Sequence, residues 1–591
     1  MKKTFLFGFL SLFVILFVFS VSSVVLALEE PSLLVKKDPR TIISDLETLI
    51  PGLMKKARVP GLQIALIREG KIIWNRGFGV KNATTKEPVT QKTIFEAASL
   101  TKPFFAYVVM KLVEEKVLDM DTPLITYLPR EGIEKELGHP LEEPGFHKDW
   151  LEKITARHVL SHSSGLPHGE SGKPFPLFFA PGTKYKYSAV GYYFLQLVVE
   201  RLKKEKLETI MKKYALDPLG MKNSCMIWKE EYEKTSASGH GYFGKPEDFR
   251  KRSQAHSAAS LYTTAEDYAR FVCAVMNGEG IKKETLKKML TPQIDVDKEK
   301  GLTWSLGFGM QTDENGPAFW QWGDYGIFRN YIIAYPQHKI AVVYLTNSYY
   351  GLSICPDLVS LSIGGQALGN AFLDYKHYDY PVYEFAWKVK EQGPQAVKKL
   401  LPKMKAQYPD DFSQKTISSL GSVFTNEKLF DEAIALYELN VKENPKSAKA
   451  ISQLARAYLE KGDRDQARLY YQKALKVNKD EKFDTKSIDL AMAYIQALEE
   501  PKKLSKDYLK TLAGDYETRH VKLKNGSLYY LREGAANKDY RKLIAMSRDT
   551  FIVEGLIFFR LRFEFDQQDR ATAIVGMYEG GNQDRTKRDK L

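Results

Sequence analysis

Cysteine is scarce: Cys225, Cys273 and Cys355 are the only three in 591 residues. Their odd number and wide spacing exclude a disulfide framework, and the absence of paired CxxC spacing excludes a structural zinc site. They read as buried apolar residues. Gly-rich phosphate loops, zinc-finger patterns, basic zippers and RNA-binding aromatic signatures are also missing, so the net charge of +14 points to a general affinity for anionic surfaces rather than to a nucleic-acid partner. Hydrophobic residues at 44% and charged residues at 27% exclude both wholesale disorder and a polytopic membrane protein. The length predicts three or four folded units.

One long apolar run stands at the N-terminus. Lys2 and Lys3 precede a mostly apolar stretch from Thr4 to Leu28, closed by Glu29 and Glu30. Residues 1–28 therefore read as an export signal, cleaved near Val25-Leu26-Ala27 or kept as a membrane anchor. Either outcome predicts a protein working outside the cytoplasm: periplasmic, extracellular, or on the outer face of the cytoplasmic membrane.

Apolar runs at Gly61–Arg68 and Lys71–Gly79, joined at Glu69-Gly70, predict a hairpin that follows a helix over Pro39–Lys56. A second strand pair is predicted at Asn330–Tyr335 and Ile340–Asn347 around a turn at 336–339. Helices and loops fill the space between them. Strands from both ends of one segment, with helices between, predict an α+β domain over residues 36–378, built on one antiparallel sheet.

From Pro381 the pattern is helical, and a 34-residue period emerges. Leu420, Gly421, Ala433, Tyr437 and Pro445 recur as Leu454, Ala455, Ala467, Tyr471 and Lys479. Residues 381–500 resemble tetratricopeptide repeats, whose small residues let helices approach while tyrosine and leucine fill the gaps. Two repeats are too few to stand alone, so flanking helices such as Ile488–Leu498 are expected to cap or dock the stack. Short alternating runs at 520–523, 528–532, 551–554, 558–565 and 573–578 predict a small antiparallel β domain over 506–580, with Asn525-Gly526 as a hairpin turn and a frayed tail from Gln583.

The chemistry concentrates in the segment from Glu96 to Met110. Ser99 and Lys102 stand three apart where an uncharged helix begins, so they share a face and the lysine amine can reach the serine hydroxyl. Burial lowers a lysine pKa, and an amine that accepts a proton near neutrality needs a fall of about three units. Chance produces on the order of two Ser-x-x-Lys matches in a chain this long. The pair gains weight from Tyr187, which follows the turn-rich Pro181-Gly-Thr-Lys-Tyr-Lys and precedes another apolar helix. A tyrosine there can relay a proton.

Ser99-x-x-Lys102, His158-Val-Leu-Ser-His162-Ser-Ser-Gly-Leu-Pro167 and Tyr187-Ser-Ala189 together resemble the serine β-lactamase-like and penicillin-binding family of class C type. The segments Ser260–Asp267 and Trp304–Gly309 look like its framework. The resemblance implies an acyl-serine mechanism without metal or cofactor, with Ser99 as nucleophile, Lys102 as its activating partner and Tyr187 as general acid/base. It also identifies the β domain with the accessory domain often found behind such catalytic domains.

The family's third motif, usually Lys-Thr-Gly or His-x-Gly, matches Gln321-Trp322-Gly323-Asp324-Tyr325-Gly326. Aligned so, Trp322 replaces the basic residue and Asp324 the usual last glycine, with Gly323 between them, and the main-chain N–H groups of Ser99 and Tyr325 form the oxyanion hole. Ala189 stands where the family usually places Asn to hold a substrate amide. Both departures move the expected substrate from β-lactam or D-alanyl peptide towards a carboxylic ester. The alternatives are a β-lactamase, DD-carboxypeptidase or D-amino-acid peptidase, or a non-catalytic envelope protein that binds a protein partner through its helical repeats. His158 and His162 stand four apart but lack a third ligand and read as structural histidines.

Overall fold

The computed structural model describes residues 32–137, 147–169, 176–478, 483, 485–533, 539–579, 581 and 583–589. The export segment predicted at 1–28 lies outside them. No helix among the described residues is long and apolar enough to cross a membrane.

The first layer is helical: α1 (Pro39–Lys56) starts on Asp38, whose carboxylate accepts the Arg40 N–H, and continues into β1 (Gly61–Arg68) and β2 (Lys71–Gly79). The helix α2 (Thr101–Glu114) follows the short turn that carries Ser99, and α3 (Val190–Lys203) follows Ala189. After α4 (Ala265–Asn277) come β3 (Ile294–Asp297), β4 (Leu302–Trp304), β5 (Gly309–Asp313), β6 (Gly316–Asp324), β7 (Arg329–Tyr335) and β8 (Ile340–Thr346). One eight-stranded sheet results, in the order β2-β1-β8-β7-β6-β5-β4-β3 and antiparallel throughout.

Alternation at period two sends neighbouring residues into separate cores. Ile332 and Val343 face α2 and α4, packing with Phe104 and Phe271, whereas Ile333 and Val342 face α1 with Ile42 and Leu46. Both faces of β1, β7 and β8 are buried. That explains why these strands read as continuous apolar runs, while the shorter, mixed β3 to β5 gave no comparable signal.

The second core continues into the helices α5 (Pro381–Gln392), α6 (Pro394–Gln407), α7 (Gln414–Asn426), α8 (Phe430–Glu443), α9 (Ala448–Lys461), α10 (Arg464–Val477) and α11 (Lys486–Glu499). Gly421 shows why the repeat needs small residues: a Cβ there would lie 2.4 Å from the Tyr437 ring. The stack docks on the first domain through aromatic side chains, with Phe243 stacked on Phe424 at 5.5 Å and against Trp387 at 5.4 Å.

The last unit is an eight-stranded antiparallel meander: β9 (Gly514–Tyr516), β10 (Arg519–Lys524), β11 (Ser527–Arg532), β12 (Arg541–Ala545), β13 (Thr550–Val553), β14 (Leu556–Phe565), β15 (Ala571–Met577) and β16 (Gln583–Lys587). The frayed tail predicted from Gln583 is corrected: β16 pairs with β15 along its length, and the Asp589 N–H donates to Asp515 O at 3.0 Å, bringing the last strand back to the first. Its polar sequence hid it, because an edge closed in this way needs main-chain bonds more than apolar side chains. Asn525 and Gly526 both have positive φ, 51° and 75°, as a tight hairpin turn demands. All three cysteines are free and buried.

Candidate active site

Two elements bring the reacting groups together. The segment before α2 is buried from Phe95 to Ala98, and Ala98 takes φ +50°, a left-handed conformation that a β-carbon disfavours. This turn presents Ser99, half-buried, at the start of a helix whose first ten residues are all buried. The Ser99 N–H has no acceptor within its own helix, as for any first-turn amide.

Lys102, one turn on, places Nζ 3.0 Å from Ser99 Oγ and 3.0 Å from Ala258 O. No carboxylate among the described residues accompanies it, and burial lowers its pKa to about 7. The amine is therefore substantially neutral near pH 7 and can accept a proton from Ser99. Tyr187 completes the group: its hydroxyl is hydrogen-bonded to Ser99, and its ring lies 4.8 Å from Lys102 Nζ. Burial raises the Tyr187 pKa well above the usual phenol value, against the opposing pull of hydrogen bonds from Ser99 and Gln321. At neutral pH it is a phenol, a proton donor.

The third motif needs a correction. The Tyr325 N–H is spent on Phe328 O at 3.0 Å, closing the β6–β7 turn, so it is not an oxyanion donor. With that pair hydrogen-bonded, the antiparallel register makes Gly323 opposite Asn330 and Gln321 opposite Ile332 the other bonded pairs, and directs the N–H groups of Trp322 and Asp324 to the opposite edge. β5 covers that edge only as far as Trp320, which pairs with Gly309. Beyond it, the Asp324 N–H faces the turn that carries Ser99.

Gly323 fixes the frame. A Cβ there would sit 2.3 Å from Ala97 O, so only glycine lets β6 come this close to the turn. Gln321, two residues earlier and on the same face, then occupies the place expected for the basic residue; Trp322 does not. Gln321 Nε2 donates to Tyr187 Oη at 3.1 Å, Ser99 O at 3.3 Å and Trp322 O at 3.0 Å. Two of those partners are carbonyls that only accept, which fixes the amide's orientation. Trp322 instead packs against the Tyr187 ring, with centroids 4.5 Å apart and planes tilted by 40°. The Asp324 carboxylate is turned away, held by Tyr375 at 2.5 Å and by Arg329 at 3.2 Å.

Ala189 caps α3 and spends its own N–H on His168 O at 3.3 Å, offering a methyl group where an amide would be needed. His158 and His162 do separate work. His158 Nδ1 takes part in the cap of its own short helix with Thr155, whereas His162 Nδ1 accepts the Ser188 N–H at 3.0 Å and its ring lies 4.1 Å from Tyr187. Burial holds the His162 pKa well below its ordinary value, so it supports the Tyr187 loop as a neutral ring. No group of three or more potential metal ligands occurs among the described residues.

The sequence reading missed Gln321 and the Asp324 main chain, because it anchored the motif on Trp322. The signal available was periodicity: the residue sharing a face with Gly323 is Gln321.

Comparison with known proteins gives two matches along the chain: residues 46–354 match the family described as Beta-lactamase, and residues 426–486 match the Tetratricopeptide repeat. Esterase EstB of Burkholderia gladioli is 25% identical over 379 residues, spanning 53% of this chain and 92% of that protein. Penicillin-binding protein 4* of Bacillus subtilis (strain 168) is 23% identical over 348 residues, 51% of this chain and 71% of that one. Among solved structures, the octameric penicillin-binding protein homologue from Pyrococcus abyssi aligns with a TM-score of 0.45 at 20% identity, covering 91% of this chain and 96% of that chain.

Proposed function

Because the chain belongs to the β-lactamase family, whose members are serine hydrolases, and carries tetratricopeptide repeats behind that domain, we propose that it hydrolyses carboxylic esters through an acyl-serine intermediate formed on Ser99. The observation that carries this reading is the convergence of Ser99, a desolvated Lys102 and the Tyr187 hydroxyl.

The steps follow from the protonation states. Neutral Lys102 takes the proton of Ser99 Oγ as that oxygen bonds to the ester carbonyl carbon. The carbonyl oxygen gains the negative charge and is met by the N–H groups of Ser99 and Asp324. As the C–O bond to the alcohol breaks, the Tyr187 hydroxyl, oriented by Gln321, gives its proton to the departing alkoxide and recovers one from the Lys102 ammonium. Water then attacks the acyl carbon, its proton returns along the same groups, and the acid leaves Ser99 free.

An ester is favoured over an amide by what the site lacks. Gln321 is neutral where the family's strand motif carries a cation, and Ala189 offers no hydrogen bond to a substrate amide. A site without such partners gains nothing from substrates that need them. A second reading, a β-lactamase, DD-carboxypeptidase or D-amino-acid peptidase activity, is supported by the similarity to penicillin-binding protein 4*. Export, through the apolar segment at 4–28, and recruitment of a protein partner by the helical repeats belong to the same proposal.

Incubation with a chromogenic short-chain ester, a chromogenic cephalosporin and a fluorophosphonate probe, each beside Ser99→Ala, tests it. Ester turnover and labelling that vanish in the variant are expected. Labelling that persists in Ser99→Ala overturns the assignment, and cephalosporin turnover without ester turnover moves the substrate to the second reading.

A further inference from the structure

A cavity of about 650 Å³ runs between α3 and the segment 252–256. On the helix side it is lined by Val190, Tyr193, Phe194 and Leu197, with Gln196 among them, and the charged Glu200, Lys206 and Glu208 line it as well. The positions from Val190 through Phe194 and Leu197 to Glu200 recur every three or four residues, so they form one stripe. Ten residues at the helical rise make the stripe about 15 Å long. It begins at Val190, beside Ala189 and three residues from Tyr187.

The opposite wall is tied to the same reacting groups. Gln196 Nε2 donates to Ala255 O at 3.0 Å, and Gln196 Oε1 accepts the Ser257 N–H at 2.9 Å. The next residue, Ala258, supplies the carbonyl that accepts from Lys102. Arg252 lines the cavity as well, and its Nη2 donates to Tyr325 Oη at 2.8 Å, one residue beyond Asp324. The segment that walls the cavity thus continues into the partner of Lys102 and is bonded to the residue after Asp324.

We propose that this groove takes a long aliphatic chain of the ester substrate, a deepening that rests on Ser99 being the acylated nucleophile. A peptide would need N–H and C=O partners along the groove. The helix has spent its own main chain internally, and the Gln196 amide is occupied on both ends. Burial holds His256 below its ordinary pKa, so that wall carries no histidine charge near neutral pH. Along its first two turns α3 presents the apolar side chains of Val190, Phe194 and Leu197 to the groove, facing Arg252, Ser253 and Gln254 on the other wall, and that apolar side rewards each buried methylene by about twofold to fourfold in binding.

The test uses the full chain with two ester series: p-nitrophenyl esters of acids from acetate to dodecanoate, and acetate esters of alcohols from ethanol to dodecanol. In one series kcat/KM is expected to rise at least tenfold with chain length, the two arms distinguishing an acyl chain from an alcohol chain. Leu197→Trp, which shortens the groove, and Leu197→Glu, which charges its floor, are expected to remove that rise while turnover of the shortest ester stays within twofold of wild type. A thermal midpoint for each variant checks folding. Flat profiles in both series, with Ser99 still labelled by the fluorophosphonate, overturn the groove assignment alone, as does a rise that survives both substitutions. No turnover of any ester and no label on Ser99 overturn the hydrolase reading and this inference together.

Discussion

Gly323 and Ala97 are in main-chain contact: a β-carbon on Gly323 would lie 2.3 Å from the Ala97 carbonyl oxygen. That closeness sets the distance between the strand bearing Gln321 and Asp324 and the turn bearing Ser99. Gly323→Ala must push β6 outward, because the obstructing atom is backbone and cannot rotate away. A displacement of about 1 Å in a reacting geometry costs on the order of a hundredfold in rate, whereas overpacking costs about 1–3 kcal/mol in stability. The expected result is a folded protein with kcat/KM for esters reduced about a hundredfold, read by kinetics beside a thermal melt. Near-normal kinetics would separate this contact from the chemistry.

Lys102 links activity to stability. Its pKa falls from 10.5 to about 7 on folding, so between those values the unfolded chain holds a proton that the folded chain has released. Stability therefore rises as pH climbs from 7 to 10.5. The cost of the buried ammonium is fully present below pH 7 and gone above 10.5. At about 1.36 kcal/mol per unit the shift amounts to about 5 kcal/mol at most. Lys102→Met is expected to be more stable than wild type at pH 6, to lose that advantage by pH 10.5, and to lose esterase activity. In the wild type, kcat/KM should climb through an apparent pKa near 7. Denaturant titrations at several pH values and a pH–rate profile check both halves.

Much of this arrangement was legible in the chain. Ser99, Lys102 and Tyr187 were singled out because an uncharged helix leaves few reasons for a lysine at its start. The strands β1, β7 and β8 stood out because sheets covered on both faces must be apolar throughout. What escaped notice depended on pairing partners. Asp324 instead of Tyr325 as the main-chain donor follows from which edge of β6 is left uncovered by β5, a long-range register with no local signature. Strand β16 escaped because its polar residues close a sheet through main-chain bonds. The groove along α3 escaped because an apolar helical stripe looks the same whether it meets a core or a substrate.

Gln321 reaches the Tyr187 hydroxyl, so its substitutions separate orientation from charge. Gln321→Leu removes the donor and leaves the phenolic hydrogen free to turn from Ser99. A loss of about tenfold to a hundredfold in kcat is expected, with KM little changed. Gln321→Lys places a second ammonium near Lys102, and a like charge favours the neutral amine. The acid limb of the pH–rate profile should then move below its wild-type position. A limb that stays in place with the lysine would put the added charge too far from Lys102 to matter.

Arg560 holds the β domain to the helical stack. Its Nη2 donates to Leu490 O of α11 at 2.5 Å, and its Nη1 to Ile557 O and Phe559 O at 2.7 and 2.9 Å. It has no carboxylate partner among the described residues, and desolvation draws its pKa down to about 10. Either substitution spares the cost of burying this cation and leaves its three carbonyls without donors, but methionine still fills the space whereas alanine adds a cavity. Arg560→Met is therefore expected to leave stability nearly unchanged, and Arg560→Ala to lose about 1–3 kcal/mol. The loss should fall on the junction. Limited proteolysis is expected to cut Arg560→Ala faster than wild type between residues 500 and 506, ahead of any change in ester turnover, because the contact lies in a different unit from Ser99.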